Sequence, residues 1–308
     1  MLLHVRHETL YKYTPAVENA QHTVHLRPAD SAFQTVLKHA LHITPQPVQQ
    51  RKAIDGFGNS KLFFSLQTSH DELQVIADSV VQTLARPSDD TSTSDLAWDH
   101  VREAFRYRSG AAYNSAWEFV FASPFVPRHE DFSDFAKFSF TPGRPLLEAV
   151  HELMTRIHSA MVYDGESTEV DTPALVALEQ RKGVCQDFAH IMVACCRSMG
   201  LPARYVSGYM LTQPPPGQPR LIGSDASHAW ASVYCPNTQD EKSAAATGRW
   251  FDFDPTNNRA PGEDYVTLAT GRDFLDVSPM RGVIRGGAKH TLDVAVTVTP
   301  LPSTPESI

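Results

Sequence analysis

Three residue types that together can move an acyl group stand in order along the chain: Cys185, His228 and Asp254. A thiol attacks a carbonyl as the thiolate, and a helix N-terminus or a neighbouring imidazolium lowers its pKa from about 8.5 into the range of roughly 3.5 to 7.5. Cys185 is predicted to have both. It sits just before the clearest helical stripe in the sequence, in which Phe188, Ile191, Met192, Cys195, Cys196 and Met199 recur at i, i+3 and i+4 until Gly200 and Pro202 stop the helix. His228 opens one strand-like segment and Asp254 closes another. If the two pair antiparallel, the acid lies beside the imidazole and can hold its tautomer while the other ring nitrogen faces the thiol. Cysteine is also among the most buried residue types, so the spacing alone leaves an inert core thiol as the competing reading.

The elements that must position these residues can be read from periodicity. Residues 203–211, 227–235 and 249–254 alternate as strands, and a helix followed by an antiparallel sheet is an α+β arrangement. Upstream, residues 145–160 carry Leu146, Leu147, Val150, Leu153, Met154 and Ile157 at the helical period. A second helix is expected after Thr172-Pro173, with Leu175 and Leu178 on its apolar face and Gly183 as its end. Up to about residue 84 the pattern is β. Leu3, Val5, Thr9, Tyr11 and Tyr13 share one face, as do Leu37, His39, Leu41 and Ile43, and then Leu62, Phe64 and Leu66, with a tight turn at residues 55–60. The polar residues 87–95 mark a linker in which Ser94 or Asp95 can cap the next helix, and residues 213–219 and 236–248 read as connections. Residues 290–299 alternate as a last strand whose sheet the pattern does not identify. The expected division is an antiparallel β-sandwich over 1–86, a helical segment over 87–160, and a catalytic core with a tail strand over 161–308.

Four ordered blocks, GVCQDFAH at 183–190, GLPARYVSGY at 200–209, SHAWASV at 227–233 and WFDFDPTNN at 250–258, resemble the signature blocks of the bacterial transglutaminase-like superfamily. VRHETLYKYTPAV, LRPAD and DGFGN near the start resemble the β domain that precedes the core in many members, and YVTLATGRDFLDVSPMRGV at 265–283 resembles the segment that follows it. The resemblance implies a papain-like Cys-His-Asp core mapped onto Cys185, His228 and Asp254. It implies acyl transfer on an amide bond. Hydrolysis by a peptidase or amidase is the favoured form, a protein-glutamine transglutaminase or deamidase the alternative, and a non-catalytic binding module the competing class. The oxyanion would take one hydrogen bond from the Cys185 backbone N–H. Tyr163, by similarity to an aromatic residue used in relatives, is the first candidate for the second donor and Gln180 the other.

The neighbours of these residues have simpler expected roles. Asp252 shares the strand parity of Asp254, but the DPTN block favours Asp254. Asp187 in the first helical turn suits a local cap. His190 reads as a structural histidine, Cys195 and Cys196 as packing, and Trp230 and Trp250 as packing or as walls of the site. Cys235 has no evident task, and Arg272 with Asp273 reads as a salt bridge or turn.

Composition narrows the partners. The 308 residues are 42% hydrophobic and 20% charged, with a net charge of −8, so the chain can bury a core and offers no basic stripe for phosphates. Nucleic acid and anionic membrane are poor partners; a peptide, protein or small amide substrate is the expected one. The four cysteines form no C-x-x-C pair, which favours reduced thiols. No HExxH or EF-hand loop occurs, and the early histidines of the 14 are spread along strands, so neither a metal nor another cofactor is expected. The start lacks a signal-peptide pattern and no run of about 18 apolar residues occurs, which points to the cytoplasm.

Overall fold

The computed structural model describes residues 1–86, 96–107, 109, 113–212, 227–237, 248–287 and 289–302. The first five strands are β1 (Leu2–Val24), β2 (Gln34–Thr44), β3 (Gln49–Ile54), β4 (Ser60–Leu66) and β5 (His70–Thr83). The middle of the chain is helical. It comprises α1 (Trp98–Ala104), a 3-10 turn (Ser115–Phe119), α2 (Glu130–Ala136) and α3 (Leu146–Ala160). A short strand β6 (Val162–Tyr163), α4 (Ala174–Gln180), β7 (Lys182–Gly183) and α5 (Cys185–Ser198) follow. The remainder holds β8 (Ala203–Met210), β9 (Ser227–Pro236), β10 (Gly248–Phe253), β11 (Tyr265–Gly271), α6 (Phe274–Val277), β12 (Met280–Gly286) and β13 (Lys289–Pro300). The predicted linker over 87–95, with Ser94 and Asp95, and the connection over 213–219 lie outside the described residues, as does most of 236–248; α1 is preceded by Ala97.

Alternation builds the N-terminal sheet. On β1, Leu3, Val5, His7 and Thr9 are buried on one face, as a period of two requires. The 23 residues of β1 serve two halves of one antiparallel sheet. Its first half pairs with β5 and β13, its second with β4 and β12, and the register shifts between Lys12 and Val17. The last strand therefore returns to the beginning of the chain, with Leu3 opposite Pro300. Leu37 departs from its expected face. The β2–β5 register shifts between Val36 and Lys38, a bulge that turns Leu37 out to 55% exposure.

The C-terminal half places α5 between a sheet of order β10-β9-β8-β11 and the helices α2, α3 and α4. Every residue of α5 from Gln186 to Arg197 is buried, the mark of a helix covered on all sides. Its one buried cation is held by four hydrogen bonds. The Arg197 guanidinium donates to the carbonyls of Ala203, Phe121 and Arg272 and to Ser123 Oγ, at 2.7–3.2 Å, which offsets the cost of burying the charge. The end of α4 differs from expectation. Arg181, at φ 56, takes the left-handed position, and Gly183 lies in β7.

The two sheets share a hydrophobic joint: Leu3, Val5, Val81, Val296 and Val298 pack on Tyr209, Val266 and Leu268. Among the described residues no helix is long and apolar enough to cross a membrane.

Candidate active site

Cys185 is the first residue of α5, partly exposed, with its Sγ 3.8 Å from the Ser227 carbonyl oxygen. Its backbone N–H belongs to the first turn, whose donors have no acceptor within the helix and carry the positive end of the helix dipole. Asp187 holds this turn in place. Its Oδ2 accepts from the Val184 N–H at 2.8 Å and from Thr168 Oγ1 at 2.7 Å. Burial pushes the Asp187 carboxyl pKa up, against the pull of those two bonds. Gly183 makes room for it: a Cβ there would lie 2.5 Å from the same carboxylate oxygen.

His228 and Asp254 meet through strand pairing. β9 and β10 run antiparallel with Ala231 opposite Phe253, so the first residues of β9 lie beside the residue that ends β10. His228 Nε2 donates to Asp254 Oδ2 at 2.7 Å. The other ring nitrogen is then the one available to Cys185, whose Sγ lies 3.8 Å from the carbonyl of Ser227, the residue before His228. Asp254 is fully buried, and donors surround it: Tyr265 Oη and Asn257 Nδ2 reach Oδ2 at 2.7 Å, while the N–H groups of Thr256 and Asn257 reach Oδ1 at 2.9 and 3.2 Å. Trp230 lies under the imidazole, with ring centroids 6.2 Å apart, and Tyr265 lies at 5.8 Å. Gly208 opposite His228 has no room for a Cβ, which would meet the Val266 carbonyl and the Trp230 ring.

These contacts decide the charges. Burial opposes a charged imidazole, yet the bonds from His228 to Asp254 and Cys185, with the charges of both, push its pKa up to about 10. Burial likewise works to raise Asp254, and the bond and charge of His228, then Asn257 and Tyr265, hold it below the ordinary carboxylate range. The arrangement is an anionic acid, an imidazolium and a thiol in contact, which suits nucleophilic attack and proton delivery.

A pH dependence follows from the sign of the His228 shift. A raised histidine contributes stability in full below its ordinary pKa of about 6.5 and loses it as pH rises from there through the folded value. The melting-temperature advantage of the wild type over His228→Ala should therefore narrow steadily as pH is raised from 6.5 towards 10. An advantage that widens over that interval would contradict the charge assignment.

The other candidates separate. β6 pairs in parallel with β7, Tyr163 opposite Gly183, two residues before Cys185, and burial and the charge of Cys185 raise the phenol pKa. Its side chain stays more than half exposed. Gln180 ends α4 in an exposed position, and none of the hydrogen bonds described around Cys185 comes from it. Asp252 lies opposite Ser232, four residues along β9 from His228, and pairs with Arg86 instead of the imidazole. His190 is buried and neutral, its pKa lowered to about 3 by burial and then by the charge of Arg197, and its Nε2 accepts from the Phe274 N–H. Cys195, Cys196 and Cys235 are buried, and burial pushes Cys196 up to about 12 and Cys235 to about 11. Arg272 pairs with Asp276, whereas Asp273 caps α6 and accepts from the Phe125 N–H. Trp250 stacks under the Arg204 guanidinium at 4.2 Å. Among the described residues, no three His, Cys, Asp or Glu side chains are grouped to hold a metal ion.

Tyr265 and Asn257 are site residues that spacing did not single out. Asn257 lies inside the WFDFDPTNN block, and the alternation of YVTLATG is itself a strand signal that would have brought Tyr265 into a sheet.

Comparison with known proteins gives a consistent outcome. Residues 3–82 match the bacterial transglutaminase-like N-terminal region, and residues 134–255 match the transglutaminase-like superfamily. An uncharacterized protein of Mycobacterium tuberculosis is 36% identical over 302 residues, which cover 96% of this chain and 92% of that one. One from Mycobacterium leprae is 30% identical over 302 residues, covering 97% and 99%. The solved structure of a proposed cysteine protease from Cytophaga hutchinsonii is similar with a TM-score of 0.75 at 19% identity, over 98% of this chain and 91% of that one. The last likeness is one of fold.

Proposed function

Since the chain belongs to the transglutaminase-like superfamily, we propose that it is a cysteine hydrolase cleaving an amide bond through Cys185, His228 and Asp254. The observation that carries this reading is the α5 N-terminal thiol standing 3.8 Å from the carbonyl of Ser227, the neighbour of His228, with His228 Nε2 bonded to Asp254 at 2.7 Å. In the first half-reaction the Cys185 thiolate adds to the amide carbonyl. The oxyanion is received by the Cys185 N–H and the Tyr163 hydroxyl. His228 then gives its proton to the departing amine as the C–N bond breaks, leaving a thioester. In the second, neutral His228 takes a proton from water, whose oxygen attacks the thioester, and Cys185 leaves as the thiolate with the imidazolium restored. Asp254, anchored by its other donors, keeps the ring in one tautomer throughout.

Hydrolysis is favoured over amine transfer by the open setting of the thiol. Cys185 is partly exposed, and Val162 and Tyr163 are exposed by 58% and 57%, so water reaches the thioester. The substrate is a peptide, protein or small amide, and the chemistry requires neither nucleic acid nor a membrane. Residues 1–86 act as a supporting domain and residues 161–308 carry the reacting groups.

Intact-mass analysis during turnover of a panel of peptide and acyl amides, with an amine acceptor titrated in, tests this reading. A thioester adduct on Cys185 and release of the free acid, little affected by millimolar amine, is the expected result. Predominant capture by the amine would move the assignment to a transglutaminase. Binding with no adduct and no turnover across the panel would favour a binding module.

A further inference from the structure

β11 is the outer strand of the four-stranded sheet, so its outward N–H and C=O groups need partners from elsewhere. Two side chains, Gln34 of β2 and Asn59 of the turn before β4, supply them, with the Ala29 N–H also reaching the Thr267 carbonyl at 3.0 Å. Gln34 Oε1 accepts from the Thr267 N–H at 2.7 Å and its Nε2 donates to the Thr267 carbonyl at 2.7 Å. Asn59 Oδ1 accepts from the Thr270 N–H at 2.8 Å and its Nδ2 donates to the Thr270 carbonyl at 2.8 Å. Each amide exchanges both hydrogen bonds with one residue, which is what a paired residue on an antiparallel neighbour does. Both amides are buried, at 2% and 4% exposure, where an unmade bond is costly.

Their places in the register matter more than their number. Thr267 lies opposite Gly208, and Gly208 opposite His228. Thr270 lies opposite Val206, and Val206 opposite Trp230, the residue packed beneath the imidazole. The two amides thus close the two rows of the sheet that end under His228. The same strand begins with Tyr265, whose hydroxyl donates to Asp254 Oδ2. Each amide is itself held. Gln34 Nε2 also reaches the Ala29 carbonyl at 2.6 Å, and Asn59 Nδ2 reaches Asp55 Oδ2 at 2.8 Å.

We propose that Gln34 and Asn59 are positioning residues for the reaction, standing in for a missing fifth strand on β11 and thereby fixing Tyr265, Asp254 and His228. The N-terminal sheet is then part of the reactive assembly rather than an appended module. The inference rests on the Cys-His-Asp reading above.

The test needs no substrate. In the full-length protein, the rate of Cys185 carboxamidomethylation by iodoacetamide is followed by peptide mapping from pH 4 to 9, which reads the onset of the thiolate. Loss of the geometry around His228 weakens the imidazolium partner and moves that onset to higher pH. Gln34→Ala, Asn59→Ala and Tyr265→Phe are each expected to raise the onset by about one pH unit, which is about tenfold in rate at any pH below the onset. Val81→Ala, in the hydrophobic joint between the sheets, should lower the melting temperature while leaving the onset in place; this separates positioning from general loosening. Asp254→Ala is the reference and should raise the onset most. Folded amide variants that keep the wild-type onset, while Asp254→Ala shifts it, overturn the inference and leave the triad standing. An Asp254→Ala protein with an unshifted onset instead overturns the triad reading on which it depends. Should either amide truncation fail to fold, Gln34→Met or Asn59→Leu, which fills the same space without the two hydrogen bonds, carries the decision by the same onset.

Discussion

Cys185→Ala is expected to yield a folded protein with no measurable amide turnover, a loss on the order of a millionfold in kcat, as for other enzymes that lose their nucleophile. No other thiol can take its place. Cys195, Cys196 and Cys235 are buried, and burial raises the pKa of each. The fold should survive because Cys185 is partly exposed and α5 is held by its buried residues, including Phe188, Ile191 and Met192. Single-turnover kinetics on purified protein, with thermal melting alongside, check both halves of the statement. Residual turnover within tenfold of wild type in the substituted protein would remove Cys185 from the chemistry. Loss of the fold would show that the helix N-terminus depends on the thiol.

Asp254→Ala should lower kcat by about 10⁴-fold, the scale on which a triad acid acts through its histidine. It removes the acceptor for His228 Nε2 and strands the donors of Tyr265 and Asn257. Stability should fall as well, by about 1–3 kcal/mol for each buried partner left unsatisfied. Asp252→Ala divides the two effects the other way. It strands the largely buried Arg86, so it should cost stability while a folded sample retains activity near that of wild type. Melting curves and kinetics on both variants distinguish the acids. A well-folded Asp254→Ala enzyme with near-normal turnover, together with an inactive and equally well-folded Asp252→Ala, would transfer the role to Asp252.

The contrast between these two acids shows where sequence reading stops. Both have the same strand parity, and periodicity cannot tell them apart. What separates them is Arg86, more than 160 residues away in the chain (252 − 86), which reaches one and leaves the other to His228. Tyr163 has a similar history. Its approach to Cys185 depends on a two-residue parallel pairing, β6 with β7, too short to leave any periodic trace. Leu37 and Gly183 depart from the expected pattern for local reasons. A bulge breaks the alternation at Leu37, and Arg181 takes a left-handed conformation that glycine more often occupies.

Residue types and their periods suffice for α5 and its N-terminal cysteine, the three strands β8, β9 and β10, and the order of thiol, imidazole and acid. These are local matters: an apolar period of 3.6 or 2 reports which face of an element is buried, and stop signals such as Gly200 and Pro202 bound the elements. Long-range packing alone sets that β12 and β13 close onto β1, that Tyr265 shares Asp254 with His228, and that Gln34 and Asn59 bond the edge of β11. Each of these joins residues that are distant in the chain through hydrogen bonds whose partners are backbone groups or single polar atoms. Every residue but proline carries the same backbone donor and acceptor, so the pairing leaves no mark in residue type and is settled only when the two sheets pack together.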